Sequence, residues 1–445
     1  MTRKVSRIRR QRIIAALSRG TVPQNDLDLF AVGMERFEKV LDDELAGAAS
    51  GGGGFKAIRG EYGSGKTFFA RWLAERAKHM RMAASEVQIT DTDTPLYKPQ
   101  AVYRGLVRTL STAGSQPSAL RDIVDTWLLV LEGEVDTADG IASENRKAID
   151  SAVEERIESR LSEVSRNVPA FATALRFYRQ ARLAGDAATA DGLLAWIGGQ
   201  QNVAASVRRH AGIKGEVDAG NAFDFLQGLL VVLRDCGHPG LLVILDEVET
   251  VQRVPSNLRE RSLNTLRGLI DDIDRNRFAG LYLVITGTPA FYDGRQGVQL
   301  SAPLAQRLHT DFQTNARFDT ARAVQIRLTG FDRDRLVELG CRVRDLFAQS
   351  DPAEDRVRTL VDDGYVKDLA TAVAGHLGAG TAPRVFLRKL VADVLFRVSE
   401  YEDFVPRRDY ERTKLNEAEL TAEERNALRR RRLPMSAAEV DLDLP

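Results

Sequence analysis

The chain carries a few short, continuous apolar runs set among long stretches in which apolar residues recur every three or four positions. The run "LLVIL" at 241 to 245 has the pattern of a parallel strand buried on both faces. Three further segments read as strands: residues 55 to 59, "AASEVQIT" leading into the polar "DTDTP", and "GLYLVITGTP", which ends in Thr286 and Thr288. From about 98 to 235 nearly everything has helical spacing. In one case Ile149, Val153, Ile157, Leu161 and Val164 form a stripe that stops before Pro169. Helices are also expected over 1 to 20, over the amphipathic "MERFEKVLDDEL", and from about 256 to 273. Strands alternating with helices predict an α/β fold built on a three-layered parallel sheet. Asp246 follows Lys66 by 180 residues, far more than one crossover helix needs, so a large helical insertion at about 98–235 must be lodged in the sheet domain.

Between the first strand and its helix lies "GEYGSGKT", residues 60 to 67: a glycine, four residues, then Gly65-Lys66-Thr67. This is the full P-loop pattern in the strand-turn-helix context it requires. The glycines let backbone N–H groups turn inward as an anion nest, and the helix N-terminus adds partial positive charge. Gly60, Glu61, Tyr62, Gly63, Ser64, Gly65, Lys66, Thr67 and Phe68 are therefore the candidate phosphate-binding set. Lys66 would reach the β- and γ-phosphates and Thr67 would offer its hydroxyl to Mg²⁺. Hydrolysis also needs a metal-side carboxylate and a group to orient water. The strand at 241 to 245 ends in Asp246, a candidate for holding Mg²⁺ through water, and Glu247, a candidate for polarising the attacking water. Glu249, two residues past the strand, is expected to face solvent and is the weaker choice.

Composition bounds the picture: 445 residues, 43% apolar and 28% charged, suffice for two or three domains. The longest apolar runs fall well short of a membrane span, and the short "IIAAL" is too little for a signal peptide, so a cytoplasmic protein with no membrane partner is expected. Two cysteines, Cys236 and Cys341, and five scattered histidines make neither a disulfide framework nor a metal site. Net charge is zero but uneven: the first twenty residues carry seven Lys or Arg and no acid, and "RNALRRRRL" adds five arginines. Each block is either a phosphate-contacting segment or a solvated helix face. The first makes Arg3, Lys4, Arg7, Arg9, Arg10 and Arg12 the candidate contacts to DNA, although these residues lie all round the helical wheel.

The order of these features resembles the AAA+ ATPases and their STAND relatives, especially the replication-initiator and loader branch. "AVGMERFEKVL" resembles that group's segment before the first strand, which implies Val32 and Gly33 near adenine. The resemblance further implies Thr286 as a polar sensor, Arg307 in "APLAQRLHTDF" as an arginine finger acting between subunits of a homo-oligomer, and Arg384 in "GTAPRVFLRKL" as a second sensor on a lid helix. "FKAIRGEYGSGKTFFARWLAERA", "LLVILDEVETVQRV", "GLYLVITGTPAFYDG" and "APRVFLRKLVADVL" are similar to the BrxD family of ATP-binding proteins from BREX phage-defence loci. That likeness covers almost the whole chain. It implies ATP and Mg²⁺ as ligands, and a helicase-like protein and a methyltransferase among the partners. The implied organisation is a basic N-terminal helix at 1–20, an AAA+-like P-loop core at 21–330, a helical lid at 331–400 and a C-terminal extension at 401–445. The extension is too short for the complete winged helix that initiator ATPases carry. The leading expectation is a DNA-associated nucleotide switch that hydrolyses ATP and regulates or loads partners. The alternatives are a STAND-type signalling switch and a non-catalytic ATP-bound scaffold, the latter disfavoured by Glu247.

Overall fold

A computed structural model describes residues 5–115, 117–138, 146–349, 352–377 and 382–410. The chain forms two compact units, one from Phe37–Arg59 with Leu73–Ile326, the other from Met1–Arg36, Gly60–Trp72 and Arg327–Pro445. Among the described residues no helix is long and apolar enough to cross a membrane.

The first unit is built on five parallel strands, β1 (Gly54–Arg59), β2 (Ala83–Gln88), β3 (Leu241–Asp246), β4 (Leu281–Gly287) and β5 (Gln325–Arg327), in the order β2-β3-β4-β1-β5. Every residue of β3 and β4 is buried, as their unbroken apolar runs require. β1 carries Lys56 into this interior, where its ammonium meets Glu44 at 2.8 Å and the carbonyls of Ala323 at 2.9 Å and Ala321 at 3.1 Å. Those partners meet the cost of burying a charge. β3 and β4 pair from Leu241 opposite Leu281 to Leu245 opposite Ile285, and β1 pairs with β4 so that Ile58 faces Thr286. The carboxyl ends of β3, β4 and β1 are therefore neighbours.

The helical insertion is not a separate body. Its helices Pro99–Thr109, Leu120–Ala138, Pro169–Leu183, Ala187–Ile197 and Ala222–Asp235 share one apolar core with the sheet. Phe225 lies at the centre of the aromatic packing, with ring centroids of Trp196, Phe171 and Tyr103 at 5.3, 5.4 and 5.9 Å. Gly228 permits this approach, since a Cβ there would lie 2.6 Å from the Phe171 ring. The stripe from Ile149 to Val164, expected to be one helix, breaks at Leu161 into Arg146–Arg160 and Ser162–Asn167.

In the second unit the N-terminal helix Arg7–Ser18 packs on the helix Ala382–Arg388 and the π-helical stretch Lys389–Leu395 that follows it. Its buried stripe is Arg10, Ile13, Ile14 and Leu17, the i, i+3, i+4, i+7 spacing of one helix face. The segment that follows is fastened to the helix Lys66–His79. Arg71 donates to the Val22 carbonyl (2.9 Å), the Trp72 indole donates to Asp28 (2.8 Å), and Phe30 packs on Phe68 with centroids 5.6 Å apart. The helix Arg333–Ala348 starts at Asp332, whose carboxylate accepts from the Arg335 N–H at 2.8 Å as an N-cap.

Candidate functional site

The phosphate-binding candidates lie where the chain leaves β1. Gly63 and Gly65 adopt φ of +79° and +94°, a left-handed backbone that glycine enters without strain, and the helix begins at Lys66. The loop is tight, because a Cβ on Gly60 would stand 2.2 Å from Ser64 Oγ. Ser64 Oγ is buried and makes no hydrogen bond to a described residue, which leaves a donor over inside the cradle. Lys66, 8% exposed, turns its ammonium onto the carbonyls of Gly60 (2.8 Å) and Glu61 (3.3 Å) and over the Tyr62 ring at 5.1 Å. A spare hydroxyl and a buried ammonium beside a helix N-terminus fit an anionic polyphosphate.

In the same unit Val32 is buried and Gly33 has φ +75°. Two arginines of the helix Arg333–Ala348 hold this segment: Arg342 donates to the Ala31 carbonyl, and a Cβ on Gly33 would lie 3.6 Å from Arg335 Nε. No motif marked either arginine. Their seven-residue spacing, which puts both on one helix face, was the only available signal. Arg384 packs along Gly20, whose Cβ would meet Arg384 Cγ at 3.2 Å.

At the ends of β3 and β4 the structure joins Asp246, Glu247 and Thr286. The fully buried Thr286 hydroxyl donates to the Asp246 carboxylate and accepts the Glu247 backbone N–H at 3.1 Å. Asp246 itself is 4% exposed. Glu247 sits at φ 60°, ψ 43°, a left-handed conformation uncommon outside glycine that clusters at functional positions. Its carboxylate accepts from the Gln88 side-chain amide at 3.0 Å. Gln88 is opposite Asp246 in the β2–β3 pairing, a contact invisible without knowing which strands are neighbours.

Glu249 corrects the expectation that it faces solvent. It is 4% exposed, because Val248–Arg253 coils as a 3₁₀ helix and turns it inward. It lies close enough to Tyr292 that burial first, and then the Glu249 charge, push that phenol well above its ordinary range. Arg307 ends the helix Ala302–Arg307 at the surface, paired with Asp271 at 2.8 Å and with Asp274. Among the DNA-contact candidates, Arg7, Arg9 and Arg12 are exposed, with Arg9 paired to Asp26 at 3.1 Å. Arg10 is buried in the stripe described above, and Arg3 and Lys4 lie outside the described residues, as does the arginine run at 429–432. Burial pushes the Cys236 thiol up to about 12 and Cys341 up to about 11, so neither is poised as a thiolate.

Among the described residues no group of three or more His, Cys, Asp or Glu forms a metal cage. That is compatible with Mg²⁺, which is ordinarily held by one or two protein oxygens together with substrate phosphates. A comparison with curated proteins found no match. A family model described as BREX system ATP-binding protein BrxC/D matches residues 5–414. With a P-loop cradle at the end of β1 and a family match over nearly its whole length, the chain belongs to the BrxC/D family of BREX system ATP-binding proteins.

Proposed function

We propose that this chain is an AAA+-like ATPase of a phage-defence system, a BrxD-type nucleotide switch that hydrolyses ATP. The observation that carries the reading is the Thr286 hydroxyl, bonded at once to the Asp246 carboxylate and the Glu247 N–H. One buried side chain thereby fixes the Asp246 carboxylate and the backbone from which the Glu247 carboxylate projects. Bound ATP with Mg²⁺ supplies an activated γ-phosphoryl group whose charge the metal partly neutralises. The P-loop N–H groups and Lys66 would bind the phosphates, and Thr67 and Asp246 are the residues that would hold the metal. Glu247 would take the proton of the attacking water. Arg307 and Arg384 would add positive charge at the γ-phosphate, Arg307 from a neighbouring copy in a homo-oligomer. In this reading the protein works in the cytoplasm on DNA, contacted through exposed arginines, and regulates or loads other defence proteins such as a helicase-like component.

A held, STAND-like switch draws support from one contact. The Gln88 amide occupies the Glu247 carboxylate, which restrains the proposed base until that bond is released.

The direct test of nucleotide binding is titration calorimetry with ATP and Mg²⁺. Wild type binds, and Lys66→Ala, which removes a charge-assisted contact, binds at least about 10-fold more weakly. Equal affinity in the two proteins would remove Lys66 from the phosphate site and the reading with it.

A further inference from the structure

We infer that Arg59 is a positioning residue for ATP hydrolysis: its ion pair with Asp293 fixes the end of β1, from which the P-loop departs, against the short helix that follows β4. The inference rests on the ATPase reading above and adds a residue that has no contact with nucleotide or water in that scheme. Arg59 is the last residue of β1, and Gly60 opens the P-loop motif. The arginine is buried, although the two residues before it, Ala57 and Ile58, are apolar and fully enclosed. Asp293 accepts from both of its Nη groups, from Nη1 at 3.3 Å. The guanidinium also lies 4.8 Å from the centre of the Phe312 ring and 5.8 Å from that of Tyr292. A guanidinium held by a two-pronged carboxylate and two rings keeps one orientation.

Tyr292 and Asp293 end the helix Pro289–Asp293, which starts two residues after β4 stops. This helix is wedged against three other elements of the same unit. A Cβ on Gly287, the last residue of β4, would lie 3.2 Å from Phe291, from Tyr292 and from Val248 alike. The Tyr292 hydroxyl donates to the Ile58 carbonyl of β1 at 3.4 Å. The charges of Glu249 and Arg59 both reach the Tyr292 phenol: burial raises its pKa most, the Glu249 carboxylate raises it further, and the Arg59 guanidinium opposes them. The end of β1, the end of β4 and the turn after β3 therefore meet at one helix. Burying an ion pair gains little over burying an apolar residue of the same size, so what this pair supplies is direction. Thr286, on the same strand as Gly287, already fixes the Asp246 carboxylate and the Glu247 backbone. The Arg59–Asp293 pair ties the start of the P-loop to that strand as well. A displacement of about 1 Å between reacting groups can cost about 10²-fold in rate. Phosphate contacts made within the P-loop itself survive such a displacement. Loss of the pair is therefore a loss of kcat and not of ATP affinity.

The test is steady-state ATP hydrolysis together with ATP titration calorimetry on the full chain, for wild type, Asp293→Asn, Arg59→Lys and the double variant. Asp293 is the gentler site, because its side chain is 62% exposed and asparagine keeps its shape. Arg59→Lys keeps the charge and loses the two-pronged geometry. Each single variant should lower kcat about 10-fold, with KM, ATP affinity and binding stoichiometry within about twofold of wild type. The double variant should be no slower than the slower single one, because both changes remove the same pair. Asp293→Asn at the wild-type kcat would overturn the inference and leave Arg59 as a packing residue. Losses that multiply in the double variant would overturn it too, as would a fall in kcat matched by an equal fall in binding stoichiometry, the mark of a protein that merely folds poorly. A wild type that binds ATP without turnover would overturn the ATPase reading and the positioning role with it, whereas an active wild type beside unaffected variants overturns the positioning role alone.

Discussion

At the scale of single residues the account turns on what each acid after β3 touches. Asp246 and Glu247 stand out as candidates because an apolar strand ends in two carboxylates downstream of a P-loop motif. Their partners were not legible. Thr286 is forty positions away and Gln88 more than 150, and only the strand order β2-β3-β4 makes them neighbours. Glu249 was misjudged for a local reason: residues past a strand end were assumed to leave the protein, whereas the 3₁₀ turn folds them back. The Gln88 contact gives a prediction of its own. Removing an amide that holds Glu247 at 3.0 Å should free the carboxylate to meet water. Gln88→Ala should therefore raise the steady-state rate of ATP hydrolysis about fivefold, the worth of one hydrogen bond, with little change in ATP affinity. A lower rate would mean that the amide positions Glu247 for the reaction.

At the scale of elements, the all-buried strands and the P-loop helix were the most readable parts, since a continuous apolar run admits few alternatives within six or seven residues. The N-terminal helix was harder. Its positive charges are spread around the wheel, and the helix face that packs inward includes a charged position, Arg10 beside Ile13, Ile14 and Leu17. A stripe interrupted by an arginine does not look like a stripe, although an arginine stem covers apolar surface well. That burial narrows the proposed DNA contact to residues whose guanidinium groups can reach phosphate, chiefly Arg7 and Arg12 among those described. Replacing both with alanine leaves the buried face intact. It should lower the slope of log affinity against log salt by roughly 0.9 for each phosphate that is no longer neutralised, equally on two unrelated duplexes. Fluorescence anisotropy across a salt series measures this, and an unchanged slope would make the helix a structural or protein-binding element.

At the scale of the molecule, the parallel α/β class followed from alternating strands and helices, and the insertion from the long gap before Asp246. The merging of that insertion with the sheet into one core was not readable, because Phe225, Phe171 and Trp196 meet only through long-range packing. The same limit hid the packing of Arg335 on Gly33, some three hundred residues away in the chain. Assembly is the remaining molecular claim. Arg307 lies at the surface in salt bridges to Asp271 and Asp274, so acting on a neighbour's nucleotide requires it to leave them. Exposed pairs of this kind contribute little, about 0–1 kcal/mol, which makes the exchange feasible. Arg307→Ala should bind ATP and hydrolyse it poorly, and mixing it with Lys66→Ala should restore part of the activity, because some interfaces then combine both intact groups. No rescue where the two associate would contradict a finger in trans. The most direct test of the central claim, that this is a hydrolysing ATPase and not an ATP-bound scaffold, is multiple-turnover phosphate release by wild type beside Glu247→Gln. The account predicts turnover in wild type and a loss of about 10²–10⁴ in the variant with ATP binding retained. Equal rates in the two proteins, or no turnover in either, would contradict it.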